Sequence, residues 1–190
     1  MGLTKGIRVL FVVLLAALLF PGCVFTGKVT PAELEPVKYV YAKDGDTIGV
    51  TGMDGESFTV RLIGIDAPES VAPEKYTEKS GKENSTYGEM AAEYLTLMLK
   101  DSDLLFLEYD EERKDRYDRV LAYVYLNDTA DIKESVNYKM MQDGYAVSTE
   151  IAPNVKYCKE LKAAEDAAKS AGRGLWQYGD FMNAEGEADK

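Results

Sequence analysis

Apolar residues follow two spacings along this chain. Short runs rich in Val, Ile, Thr and Tyr predict five β-strands, at 37–42, 47–51, 57–65, 104–109 and 120–125. Asp54-Gly55, between the second and third runs, is typical of a hairpin turn. The third run loses its alternation at Gly64, which predicts a bulge that redirects the chain before Asp66.

Apolar residues at helical spacing predict three helices. They cover 86–100, the stretch from the cap Asp131 to Gly144, and 154–171. The last of these carries Cys158 on its apolar face, where we interpret it as a small core residue. One helix lies between the third and fourth strands and two follow the fifth. This order predicts an α+β fold built mainly on β-structure, a five-stranded OB-fold barrel with three α-helices.

The N-terminal segment has the pattern of an export signal. Lys5 and Arg8 precede an unbroken apolar run over 9–20, which is 12 residues long. A membrane span needs about 20 residues, so this run is typical of a signal peptide at 1–22. A small residue precedes Cys23, which predicts a lipid on that sulfur and a lipoprotein at the cell surface. Ordinary secretion and an uncleaved membrane anchor remain open alternatives.

Three further segments follow. Residues 23–36 lack periodicity and are interpreted as a tether, 37–178 as the folded domain, and 179–190 as a frayed acidic tail. The domain has enough length for a real core, and we expect a monomer.

Composition narrows the possible chemistry. The 190 residues contain no histidine, which excludes histidine bases, histidine nucleophiles and zinc sites built on imidazole. Two cysteines are too few for a disulfide framework. The net charge of −11 does not attract polyanions through its overall field. A nucleic acid partner would therefore need a local basic cluster or a bound cation.

Acidic residues stand beside two of the predicted strands. Asp44-Gly45-Asp46 precedes the second strand, and Asp66 and Glu69 follow the third. Each group alone is more often a turn or a solvated strand end than a metal site. Together, Asp46 and Asp66 suit the oxygen coordination of Ca²⁺, with a backbone carbonyl and water completing the shell.

Two arginines suggest what such an ion would accompany. Arg61 lies inside an apolar strand, where it faces solvent, an interior acid or a bound anion, and Arg119 begins the fifth strand. Opposite a cation, the pair would clamp a phosphodiester and stabilise its transition state. Glu69 would then orient or deprotonate the attacking water. Tyr117 is either a rim aromatic or part of the core.

These motifs together resemble the staphylococcal nuclease family. They are Asp44-Gly-Asp-Thr47, Arg61-Leu, Asp66-Ala-Pro-Glu69, Asp115-Arg-Tyr-Asp-Arg119, Val120-Leu-Ala-Tyr-Val-Tyr125, Val136-Asn137, Gly144-Tyr-Ala146 and Gly174-Leu-Trp176, in collinear order. The resemblance implies an OB-fold barrel with three helices. It also implies Ca²⁺-dependent cleavage of DNA and RNA that leaves 3′-phosphate ends.

The resemblance also implies a role for each matching position. Asp46 and Asp66 match the calcium-binding aspartates, and Ala67 stands where a backbone carbonyl meets the metal. Glu69 matches the general base. The other matching positions are Arg61 and Arg119 for phosphate contact, Tyr117 for the base pocket and Asp44 for support of the metal site.

The chain departs from the family pattern at one part of the predicted site. Residues 148–153 lack the two tyrosines that stack on the base, which leaves base preference open. Two other functions remain as alternatives. One is a non-catalytic nucleic-acid-binding module on the same barrel. The other is a surface lipoprotein that binds another ligand and uses the acids structurally.

The acidic balance predicts weak capture of long nucleic acid. Since few phosphate contacts are expected, few counterions would be released, and binding should depend only shallowly on salt. Titration of a labelled DNA strand at increasing salt measures this dependence. Tight binding with a steep salt dependence would contradict the prediction.

Overall fold

Seven β-strands and three α-helices form the regular structure of the computed structural model over the residues that it describes, 33–69, 86–179 and 181. The strands are β1 Glu35–Ala42, β2 Thr47–Gly52, β3 Ser57–Leu62, β4 Ile65–Asp66, β5 Leu105–Glu108, β6 Val120–Tyr125 and β7 Val147–Ser148. The helices are α1 Thr86–Leu99, α2 Val136–Gln142 and α3 Cys158–Ser170, with 3₁₀ turns at Ile132–Glu134 and Gly174–Tyr178. The predicted signal peptide 1–22, Cys23 and most of the tether lie outside the described residues.

Five strands close into a barrel in the order β1-β2-β3-β6-β5. Neighbouring strands are antiparallel except β3 and β6, which run parallel with Val60 opposite Val120 and Leu62 opposite Ala122. The core is formed by buried side chains that include Ile48, Val50, Val60, Leu62, Leu105, Leu107 and Val124. The predicted α+β fold, a five-stranded OB-fold barrel with three helices, is confirmed.

The third strand is shorter than the sequence predicts. A single strand over 57–65 is wrong, because β3 ends at Leu62 and the chain turns through Gly64, whose φ is +79°. A side chain at position 64 would also collide with Leu161 of α3. After this turn the chain continues as β4, which pairs with β7 outside the barrel. The turn therefore carries Asp66 away from the barrel wall.

Two predicted helices also begin later than expected. The Asp131 side chain caps only the 3₁₀ turn, accepting from the Lys133 amide at 3.0 Å. Ser135 caps α2, since its Oγ accepts from the Tyr138 amide at 3.0 Å. The last helix begins at Cys158 rather than at residue 154, and Cys158 is only half-buried.

The C-terminal packing extends beyond the predicted domain boundary. Leu175 and Trp176 are buried, as expected, and Phe181 is buried as well. Its ring lies 4.7 Å from that of Trp176 and 6.4 Å from that of Tyr87, measured between centroids. Among the described residues, no helix is long and apolar enough to cross a membrane.

Asn137 joins helix α2 to the barrel at the point where β3 ends. Its Oδ1 accepts from the Val124 amide at 2.9 Å, and its Nδ2 donates to the Ile63 carbonyl at 2.8 Å. The side chain is fully buried, so both backbone groups depend on it for a partner. This contact fixes the turn that leads to Asp66.

Replacement of Asn137 by alanine should destabilise the domain. The change leaves two backbone groups buried without partners, which costs about 1–3 kcal/mol of unfolding free energy. Urea denaturation measures the loss. Gln142→Ala is the control, because Gln142 is an exposed amide on the same helix and should change stability by less than about 0.5 kcal/mol. Equal effects of the two variants would contradict the role of Asn137.

Candidate active site

The strand register brings three strands together around Arg61. Thr47, the first residue of β2, lies opposite Arg61 of β3. On the other side of β3, Arg61 lies opposite Leu121 of β6. The residues that precede β2 and β6, Asp46 and Arg119, are therefore brought to the two sides of Arg61. They come together although they are far apart in sequence.

Close packing shapes the acidic turn before β2. Gly45 lies so near its neighbours that an added Cβ would be 2.6 Å from the Cβ of Ala67 and 2.7 Å from that of Ala91. Within this turn, Asp44 accepts a hydrogen bond from the Asp46 amide at 3.2 Å. Both carboxylates are buried. Glycine at position 45 thus lets the turn pack against the exit of β4 and against α1.

The Asp46 carboxylate is buried and has three donors. Its Oδ1 accepts from the Thr47 hydroxyl at 2.9 Å, and its Oδ2 accepts from the Ala67 amide at 3.0 Å. Nη2 of Arg61 lies 3.0 Å from Oδ2. Burial raises the pKa of Asp46 to about 7; Arg61 opposes this rise and Asp44 adds to it. Burial thus outweighs the donors in setting the pKa of this carboxyl.

Arg61 connects the acidic turn to the exit of β4. Its Nη1 donates to the carbonyls of Leu62 at 3.0 Å and Ile65 at 2.7 Å, which fixes the plane of the guanidinium. Its Nη2 lies 2.7 Å from Oδ1 of Asp66 and 3.0 Å from Oδ2 of Asp46. Of the alternatives for a strand arginine, the structure thus shows one that faces acids, of which Asp46 is buried and Asp66 half-exposed.

The three residues that follow β4 differ in exposure. Ala67 and Pro68 are buried, whereas Glu69 is exposed. The Asp66 side chain is about half exposed, at 48%. Because the Ala67 amide is tied to Asp46, the backbone of this exit lies directly against the acidic turn. Glu69 follows two residues after Ala67 in the chain.

Arg119 is held by an acid of its own loop. Nε of Arg119 donates to Oδ2 of Asp115 at 2.7 Å. Burial favours the neutral form of Asp115, but hydrogen bonds from Arg119 and from the Tyr117 amide together hold its pKa below the usual range. Tyr117 is exposed rather than part of the core, and the guanidinium carbons of Arg116 and Arg119 lie 4.8 and 5.6 Å from its ring centroid.

Arg61 and Arg119 open onto one cleft of about 510 Å³. Tyr117 and Asp115 also line it, together with residues of the segment after β7. These include Ile151, whose side chain is exposed. The cleft is large enough for a nucleotide-sized ligand, since small-molecule sites span about 300–1,000 Å³.

The acidic cluster suits a hard divalent cation. Oxygens of Asp46 and Asp66 converge on the same nitrogen of Arg61, so both carboxylates reach one region of space. Burial raises the pKa of Asp46, and a cation bound beside this carboxyl would favour its ionised form. Within residues 33–69, 86–179 and 181, however, no three acidic or cysteine side chains form a ready-made cage. Backbone carbonyls and water would have to supply the other ligands.

Two further residues line this cleft, Asp115 and Asn154, and neither has a role predicted from the sequence. Asp115 belongs to the motif that ends at Arg119. An acid four residues before an arginine is the sequence feature that indicates this ion pair. Asn154 is buried and binds the backbone amide and carbonyl of Glu112, both at 2.8 Å. No sequence pattern indicates that contact, since its partner is backbone 42 residues away.

Comparison with known proteins gives consistent matches. The model of the family described as staphylococcal nuclease homologue matches residues 59–178. The thermonuclease of Staphylococcus hyicus is 34% identical over 145 residues, which cover 76% of this chain and 78% of that protein. The thermonuclease of Staphylococcus intermedius is 37% identical over 134 residues, covering 70% and 71%.

A third relative is longer than this chain. The SPbeta prophage-derived endonuclease YokF of Bacillus subtilis is 34% identical over 156 residues, covering 81% of this chain and 48% of that protein. The first two relatives, by contrast, match over most of both chains. This chain belongs to the family of staphylococcal nuclease homologues.

Proposed function

We propose that this protein is a calcium-dependent nuclease that hydrolyses phosphodiester bonds of DNA and RNA and leaves 3′-phosphate ends. The observation that carries the proposal is that Arg61 and Arg119 line the same cleft while Arg61 also touches two acids. Its relatives with the names thermonuclease and endonuclease support the reaction class.

The two arginines would bind the scissile phosphate. A guanidinium matches the geometry of phosphate oxygens and is always charged. Arg61 has Nη1 on two backbone carbonyls and Nη2 on two acids, so it would act on the phosphate mainly through its fixed positive charge. Arg119 would contact the same phosphate from the other side of the cleft.

The acids would hold the metal and activate water. Asp46 and Asp66, with the carbonyl of Ala67, would hold Ca²⁺, and Asp44 would keep Asp46 in place. When bound, the ion supplies Lewis-acid stabilisation of the phosphate charge. Glu69, exposed and three residues after Asp66 in the chain, would act as the general base toward the attacking water, since histidine is absent from the chain.

Substrate contact beyond the phosphate would fall to Tyr117. Its exposed ring at the mouth of the cleft suits stacking on a base. Ile151, which also lines the cleft, would provide apolar contact without a second ring.

A location outside the cell fits this activity. We propose that the N-terminal 22 residues direct export and that Cys23 anchors the protein to a membrane through a lipid. The motivation is the charge and apolar pattern of that segment. Metabolic labelling with a fatty acid, compared between the natural chain and Cys23→Ala, tests it. Equal labelling of both would refute the anchor.

Calcium should stabilise the folded protein. At a concentration one hundred times the dissociation constant, binding adds about 2.7 kcal/mol to the unfolding free energy. Because the pKa of Asp46 is raised to about 7, protons compete with the ion below that pH, and the calcium-induced rise in Tm should be larger above it. Asp46→Ala should abolish the rise, whereas Asp54→Ala, at an exposed hairpin acid, should retain it. No calcium effect on the natural protein would contradict a metal site.

Two substitutions separate catalysis from binding. Arg61→Ala should lower kcat by about 10²–10³-fold through loss of a preorganised donor. Glu69→Gln should lower it by about 10²–10⁴-fold through loss of the general base while oligonucleotide binding persists. Cleavage of plasmid and of RNA, each with calcium and with chelator, provides the measurement. Full activity of either variant would refute the assigned roles, and binding without cleavage by the natural protein would favour a non-catalytic module.

A further inference from the structure

The loop between β5 and β6 is organised by one carboxylate. Oδ1 of Asp115 accepts from the amides of Tyr117 at 2.9 Å and Arg119 at 3.0 Å. Its Oδ2 accepts from Nε of Arg119 at 2.7 Å. The carboxylate therefore holds the backbone on which Arg119 begins and the side chain that Arg119 projects into the cleft.

The backbone of the same loop supports this arrangement. The Asp115 amide donates to the Arg119 carbonyl, and the Asp118 amide donates to the Asp115 carbonyl, both at 3.0 Å. Asp118 adopts a φ of +65°, a conformation that Asp and Asn tolerate better than most residues. The turn thus brings residues 115 and 119 face to face, and the Asp115 side chain, only 17% exposed, lies against the guanidinium.

The two arginines of the cleft are held in different ways. Arg61 uses both terminal nitrogens on protein acceptors. In the described part of the chain, the side-chain hydrogen bond of Arg119 goes through Nε alone. Within residues 33–69, 86–179 and 181, no protein acceptor holds Nη1 or Nη2 of Arg119, and these two nitrogens can contact a ligand in the cleft that Arg119 lines. The edge that they form is suited to a bidentate contact with phosphate.

We propose that Asp115 is a positioning residue that aims the terminal nitrogens of Arg119 at the phosphate, a role that rests on the proposed nuclease function. A flexible arginine must lose rotamer freedom when it binds. The Asp115 contact removes that freedom before substrate arrives, because Nε and the Arg119 amide are tied to one rigid group. Asp115 does not touch substrate, and its effect reaches the reaction only through Arg119.

A double-mutant cycle with Asp115→Asn and Arg119→Ala tests the proposal. The asparagine keeps an oxygen that can accept from the two backbone amides. Its amide nitrogen is a donor, as Nε of Arg119 is, so the two cannot bind each other. This variant therefore tests the contact with the guanidinium separately from the contacts that hold the loop. In the natural background, Asp115→Asn should lower kcat on a DNA oligonucleotide by about 10- to 100-fold, as misplaced catalytic groups do. In the Arg119→Ala background the same change should alter kcat by less than about twofold.

Asp118→Asn is the matched control. It makes the same chemical change in the same loop, with the same change in net charge. Asp118, however, is an exposed acid that binds Lys114 and not an arginine of the cleft. Asparagine also tolerates the left-handed backbone at this position. This variant should keep kcat within about twofold of the natural protein.

Each outcome has a definite meaning. Equal fold losses in the two backgrounds, or no loss in the natural one, would overturn the proposal, as would an equal loss from Asp118→Asn. Affinity for a phosphorothioate DNA oligonucleotide, measured over the same cycle, decides the matter independently of turnover. If the natural protein does not cleave, the proposed function is overturned. The coupling is still supported if Asp115→Asn weakens oligonucleotide binding in the natural background but does not change it in the Arg119→Ala background.

Discussion

The parallel pairing of β3 with β6 is the constraint on which the site depends. An antiparallel neighbour would carry residue 119 to the opposite end of β3, because the chain would enter β6 from the other side. With the parallel register, Arg61 lies opposite Leu121 and the loop bearing Arg119 reaches the cleft of Arg61. The pairing of β3 with β6 is therefore needed both to close the barrel and to form the cleft.

Charge is concentrated where the barrel can restrain it. Asp46 and Arg61 are largely buried, and burial of ionised groups is expensive unless they are paired and hydrogen-bonded. Asp46 has three donors, yet burial still raises its pKa to about 7. A protein with a net charge of −11 thus lines one cleft with the arginines Arg61, Arg116 and Arg119 beside the acids Glu112 and Asp115. Attraction of a polyanion is then local, which is consistent with a substrate bound through few phosphates.

The sequence predicts most of the barrel because its strands are local patterns. Val120–Tyr125 is read directly from its β-branched and aromatic residues. The end of β3 at Leu62 was not predictable, since it follows from the left-handed Gly64 and its contact with Leu161, almost a hundred residues later. The site residues were named from motif order, but the ion pairs of Arg61 and the contact of Asn154 with Glu112 depend on tertiary packing that no local pattern records.

Phe181 has a consequence for how short the chain can be made. Its ring packs against Tyr87 near the start of α1, and Ala91 of the same helix is one of the two residues that enclose Gly45. A chain that ends at residue 178 would keep the contact of Tyr178 with Tyr87, at 5.7 Å between ring centroids, but would lose the buried Phe181 ring. Removal of Phe181 would therefore weaken the packing near the start of the helix whose Ala91 borders the acidic turn.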